Sequence, residues 1–112
     1  AGIKDLEYAI LTNELTKAWA GMTTGEYKAY KGLKKESLRD NMTNTELVLN
    51  MLAEVSTTEI SRATNPQGLE PSKKVAQQGG AIAKNARQEL EEKTGKSAIS
   101  KHTAKDIKEL DK

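Results

Sequence analysis

Both prolines of the chain fall in one stretch, Asn65-Pro66-Gln67-Gly68-Leu69-Glu70-Pro71. Proline lacks the N–H that a helix interior or a central strand needs, and Asn-Pro and glycine favour turns. The chain on either side of this break is free to form long uninterrupted elements, and residue spacing says of which kind. Strict alternation of apolar and polar residues is absent, and Val occurs only three times. Ala, Leu, Lys and Glu instead recur at intervals of three and four residues, the helical signature. The expectation is an all-α fold, a small helical domain of about four main helices plus one short helix.

A first helix is predicted from about Lys4 to Ala20, with Tyr8, Leu11, Leu15, Ala18 and Met22 along one face and Leu6, Ile10 and Trp19 beside them. Gly21 is placed to end it in a left-handed conformation. Thr23-Thr24-Gly25-Glu26 and Thr43-Asn44-Thr45-Glu46 both carry the capping-box pattern, in which hydroxyl and carboxylate satisfy open backbone N–H groups. The first starts a short helix to about Lys31, and residues 33–41 add a turn or two anchored by Leu33, Leu38 and Met42. The second opens the strongest element. Leu47, Val48, Met51, Leu52 and Val55 read as one continuous apolar face with Ile60 as its extension, and Leu52 lies in its middle. At ~1.5–3 kcal/mol per fully buried side chain, such a face would supply most of a small core.

After the break, Ser72 is expected to cap a long helix to about Thr94, ended by Gly95, with Val75, Gly79, Ile82, Ala86 and Leu90 as its apolar stripe. Gly79-Gly80 inside it costs ~1 kcal/mol per glycine relative to Ala, which implies close helix–helix approach or a flexible point. From Ser97 the chain is polar, and Thr103 with Asp106 is expected to cap a last short helix bearing Ile107 and Leu110. One domain over residues 1–112 is expected, with 96–112 a loosely packed tail. The Ala-Gly start reads as that of a fragment of a longer chain.

Composition excludes much chemistry. Without cysteine there is no disulfide, thiolate nucleophile or cysteine-based zinc site, and the single His102 cannot build a multi-histidine metal centre. His102 lies in a polar segment with nothing apolar to tune it as a base, and adjacent Glu89, Glu91 and Glu92 point different ways on a helix. No strand precedes a glycine-rich loop, so a phosphate-binding loop is not expected either. No apolar run approaches the ~18 residues of a membrane span. The expectation is a cytoplasmic, non-enzymatic protein with no catalytic residues, cofactor, metal, membrane or small-molecule substrate.

Charge is nearly balanced, 18 Lys+Arg against 16 Asp+Glu, but its distribution is uneven. Lys28, Lys31, Lys34, Lys35 and Arg39 stand beside Tyr27 and Tyr30, the combination that phosphate contact and base stacking require. Glu26, Glu36 and Asp40 interleave with them, as on an ordinary solvated helix. Lys73, Gln77, Gly80, Lys84 and Arg87 step along the second long helix about 200° from the Val75 stripe. They are expected to form an outward positive face whose central glycine admits a phosphate backbone or a partner helix. Leu47, Met51, Leu52, Val55, Gly79 and Ile82 are the expected packing or interaction positions.

The run "EYKAYKGLKKESLRDNMTNTELVLNMLAEVSTTEISR", and within it "YKGLKKESLRDNMTNTEL", resembles the region after the BRO-type N-terminal domain in the DNA-damage-inducible protein D and phage-antirepressor-like family. "ILTNELTKAWAGMT" and "KKVAQQGGAIAKNARQELEEKTGKSAIS" are similar to the same family, so the resemblance spans about Ala9 to His102. It implies a bacterial or phage cytoplasmic protein tied to the DNA-damage response or prophage regulation, with no enzymatic activity. It also implies that the BRO-type domain usually credited with DNA binding lies outside this chain. Two functions follow as expectations. One is an accessory domain contacting DNA or a DNA-bound protein through the basic faces. The other is an interaction or homo-oligomerisation module packing through its apolar faces.

Overall fold

The computed structural model describes residues 3–110, with side chains from Lys4 to Ile107. Five α-helices follow in order: α1 (Ile3–Ala20), α2 (Thr24–Tyr30), α3 (Asn44–Thr64), α4 (Leu69–Thr94) and α5 (Ala104–Leu110), with a single 3-10 turn at Arg39–Asn41. No strand occurs among the described residues. The all-α expectation holds, and most helix ends lie where cap chemistry puts them.

Thr23 and Thr43 both close complete capping boxes, each hydroxyl accepting from the N–H three residues on and each glutamate accepting from its threonine's N–H. Asn65 (φ 47°) and Gly95 (φ 74°) end α3 and α4 in the left-handed conformation. One boundary moves. α4 begins at Leu69, not after Ser72, because Pro71 sits in the first helical turn, where no N–H is needed. Thr103 N–H donates to Asp106 at 3.0 Å at the start of α5, as expected; the side chain of Leu110 lies outside the described residues.

α4 is the centre of the molecule and packs along both α1 and α3, which barely meet each other. Gln77 Nε2 donates to Glu14 at 3.0 Å and Arg87 Nη1 donates to the Trp19 carbonyl at 3.2 Å, so α1 runs parallel to α4. Gly79 lies against Thr57, and Leu90 shares a hollow with Asn44 and Val48, so α3 runs antiparallel. The glycine pair makes this possible. A Cβ on Gly79 would collide with Thr57 Oγ1, and one on Gly80 with Ala18 Cβ. Of the two readings of Gly79-Gly80, close approach is the one found.

At one end the gap between α1 and α3 is filled by Trp19, Tyr27, Leu49 and Ala53, with Leu33, Leu38, Met42, Ala83 and Ile99 around them. Trp19 and Tyr27 meet edge-on at 6.0 Å, and Trp19 Nε1 donates to Asn50 Oδ1 at 3.2 Å. This core overturns part of the expected α3 face. Val48, Met51 and Val55 are 63%, 44% and 57% exposed, and Leu47 and Leu52 only flank the core. The buried face of α3 is Glu46, Leu49 and Ala53. The aliphatic stripe pointed to the wrong side because the inward side chains include a carboxylate and a methyl group. Ile82 and Leu90 on α4 are also partly exposed, while Val75, Ala76, Gly79, Gly80 and Ala83 are buried.

Candidate nucleic-acid interface

The basic residues divide by what holds them. Lys31 is the last-turn neighbour of α2 and points inward. Its ammonium donates to Glu46 Oε1 at 2.8 Å and to the His102 carbonyl at 2.6 Å, and neither the Lys31 nor the Glu46 side chain has any exposed surface. Lys31 is therefore a core residue and is removed from the predicted phosphate contacts. A cation beside Tyr27 and Tyr30 looks like a surface feature in sequence; what draws it inside is a carboxylate fifteen residues away.

Glu46 is saturated. Oε1 accepts from Lys31 and from the Thr43 N–H at 2.9 Å; Oε2 accepts from the Tyr27 hydroxyl and from the Ser100 N–H at 3.3 Å. Four acceptor positions of a carboxylate are thereby used, which is what makes burial of the charge tolerable. Burial, reinforced by the hydrogen bond to Glu46 and its charge, pushes the Tyr27 hydroxyl far above the usual phenol range, so it stays a donor.

Residues 96–103 form a strap returning from α4 across the ends of α2 and α3. Ile99 is buried, Ser100 and His102 bond to the Glu46–Lys31 pair as above, the Ala98 N–H donates to Glu91 at 2.9 Å, and the Ala104 N–H donates to Asn41 Oδ1 at 2.8 Å. The strap is thus bonded at successive alternate residues, and it places Lys101 at the surface with its ammonium 5.3 Å from the Tyr30 ring centroid.

The predicted α4 face is also redrawn. Gly80 is buried against α1, and Lys73, Gln77 and Arg87 lie along the edge of that contact. Lys73 lies 4.0 Å from Glu14 and 3.8 Å from Glu70, and Arg87 pairs with Glu91 at 3.0 Å. The partner helix that the glycine admits is α1 of the same chain. Arg39, on the opposite side, pairs with Glu54 at 3.0 Å. Lys84 remains exposed and makes no ion pair among the described residues.

What survives is one surface. Lys28 lies on α2, and Lys34 and Lys35 lie in the loop after Gly32, whose φ of 75° turns the chain away from the helix. None of the three makes an ion pair among the described residues. Lys101, which sequence reasoning passed over as part of a tail, joins them through Tyr30. Glu36 is the acid held against the two loop lysines. Glu36 accepts from the Lys34 and Lys35 N–H groups at 2.9 and 3.0 Å, and these bonds, with Lys28 nearby, hold its carboxyl below the usual range. Tyr30, 41% exposed, lies beside these cations. His102 is exposed beside it.

The DinD C-terminal domain model matches residues 1–110. The chain belongs to the DinD C-terminal domain family. The match spans almost the full chain and ties this DinD domain to a DNA-damage-inducible protein. Neither a curated protein nor a solved structure matches the chain. Within the described residues no helix of the DinD domain is long and apolar enough to cross a membrane, and no group of three potential metal ligands is present.

Proposed function

We propose that this DinD C-terminal domain is a non-enzymatic accessory domain that contacts nucleic acid, or a protein–DNA assembly, through the surface of α2, the loop after it and the strap. The observation that carries the reading is the placement of Lys101 on Tyr30 of α2, the helix that bears Lys28 and leads into Lys34 and Lys35, while the other candidate cations except Lys84 are held in ion pairs. Cations free of internal partners are the ones that can displace counterions from a phosphate backbone. With a net charge of only +2, affinity is expected near the non-specific range, ~10⁻⁴–10⁻⁶ M at physiological salt.

The test is titration of an oligonucleotide at two salt concentrations. Binding should weaken steeply as salt rises, and Lys34→Glu with Lys35→Glu should weaken it more than Lys93→Glu with Lys96→Glu, an equal charge change elsewhere. Equal behaviour of the two double variants refutes the reading. A second reading rests on a different observation: Val48, Met51 and Val55 project from α3 away from the core. It makes the domain an interaction module, for another protein or a second copy. Under it, Val48→Asp with Val55→Asp abolishes association measured by sedimentation and leaves oligonucleotide binding intact.

A further inference from the structure

The four aromatic residues have sharply different surroundings. Trp19 and Tyr27 are fully enclosed in the core. Tyr8 is exposed on α1 but borders a groove with Glu54, Thr58 and Ser61, and no basic side chain lines that groove. Tyr30 joins a half-exposed ring to a cation, Lys101. It ends α2 next to Lys31, whose side chain turns into the core, so the backbone there is anchored by the buried pair. Gly32 then turns the chain so that Lys34 and Lys35 follow close by, and the strap brings Lys101 over the ring.

A half-exposed aromatic ring with one lysine over it and two more in the loop that follows suits one kind of nucleic acid better than another. Every nucleobase has a π-face that can stack on an aromatic side chain, and lysines around it track the backbone phosphates. In a duplex the base faces are already stacked on one another, so an exposed ring gains nothing there beyond its cations. An unpaired strand offers both partners. Resting on the nucleic-acid reading above, we propose that Tyr30 is a stacking platform for an unpaired base, that Lys101 with Lys34 and Lys35 grips the flanking phosphates, and that the domain therefore favours single-stranded over double-stranded nucleic acid.

The experiment compares a short mixed-sequence single-stranded oligodeoxynucleotide with its duplex, at low and moderate salt, for the 112-residue chain and for Tyr30→Phe, Tyr30→Leu and Lys34→Glu/Lys35→Glu. Tyr30→Leu keeps apolar bulk at a half-exposed position, so folding is preserved, and enclosed Trp19 fluorescence verifies this. Tighter binding of the single strand is expected, weakened about tenfold by Tyr30→Leu and unchanged by Tyr30→Phe. Duplex binding should be the same for all three. The double lysine variant should weaken both forms. Equal binding of strand and duplex, or indifference of the single strand to Tyr30→Leu, overturns the stacking proposal while leaving the phosphate-contact reading in place. If neither form binds at low salt, the nucleic-acid reading falls and the stacking proposal with it.

Discussion

Glu46 accepts the Lys31 ammonium at 2.8 Å with both side chains closed to solvent, and so joins α2 to α3 through a charge pair inside the core. The same carboxylate closes the α3 capping box and takes the N–H of Ser100. Three segments distant in sequence therefore share one acceptor group.

This pair separates two glutamates with the same local chemistry. Glu26 and Glu46 each close a capping box, but Glu26 is at the surface and Glu46 is buried. Glu26→Gln should change stability little. Glu46→Ala or Lys31→Ala should cost ~3–5 kcal/mol, because each leaves the other charge buried without its partner. Urea unfolding followed by Trp19 fluorescence measures both, and similar losses for Glu26→Gln and Glu46→Ala would refute the assignment.

Replacing either glycine of the pair should destabilise the fold even though alanine is the better helix former by ~1 kcal/mol. Gly79→Ala drives a methyl into the Thr57 backbone, 2.7 Å from its nitrogen, and Gly80→Ala into the Leu15 carbonyl at 2.8 Å. A helix cannot yield to a backbone clash by rotating a side chain. The expected net loss is ~1–3 kcal/mol for each, read as a lowered Tm. By contrast Gly25→Ala meets no atom within 4 Å and should not lower Tm.

Leu49 and Val55 differ although both belong to α3. Leu49→Ala removes a buried side chain from the Trp19–Tyr27 cluster and should cost ~2–5 kcal/mol. Val55→Ala truncates an exposed side chain and should stay within about 0.5 kcal/mol. Chemical denaturation of the two variants decides it, and the reverse order would place the core on the aliphatic stripe after all.

Glu91 gives the strap a pH dependence. Burial pushes its carboxyl up, but the Ala98 N–H and the Arg87 guanidinium outweigh that and hold it below its usual 4.5. A carboxyl lowered in the folded state binds fewer protons there than in the unfolded chain, so stability rises with pH across that window. Its contribution is complete above the unfolded value and disappears as pH falls through the folded one. Glu91→Gln should therefore narrow the difference between urea midpoints at about pH 6 and about pH 3.5. An unchanged difference would mean that the anchorage of Ala98 does not depend on this charge.

The sequence made the helix ends legible because caps are local: Thr23, Thr43, Gly95 and Thr103 each act within a few residues. Gly79-Gly80 was half legible: the cost of glycine inside a helix marks close approach or a flexible point, and only the packing on Thr57 and Ala18 decides for the first. The direction of the helix faces was not legible. Periodicity points the aliphatic side chains inward, whereas Glu46 and Lys31 face the core and Val48, Met51 and Val55 do not. A buried charge pair is a long-range relationship, and helical periodicity carries no trace of it. The same blindness placed Arg87 and Lys73 outside, when their partners Glu91 and Glu14 hold them at or beside the α1–α4 contact. Lys101 was missed for the opposite reason: a polar segment looked like a tail until its backbone bonds showed it pinned.

The central place of α4 has a bearing on how the chain is made. α1 and α3 are finished early in synthesis but lack the long helix that packs along both until α4 has left the ribosome. Residues 96–103, which complete the hydrogen bonding of the buried charge pair, emerge later still. Because the stabilising contacts are long-range, their chain-closure cost must be met before any of them forms. A nascent chain halted before Leu69 therefore holds Trp19, Tyr27, Leu49 and Ala53 but lacks Ala83, Ile99 and the helix along which α1 and α3 both pack. Cleavage in the Asn65–Gly68 turn would likewise leave α3 joined to α4 by packing alone.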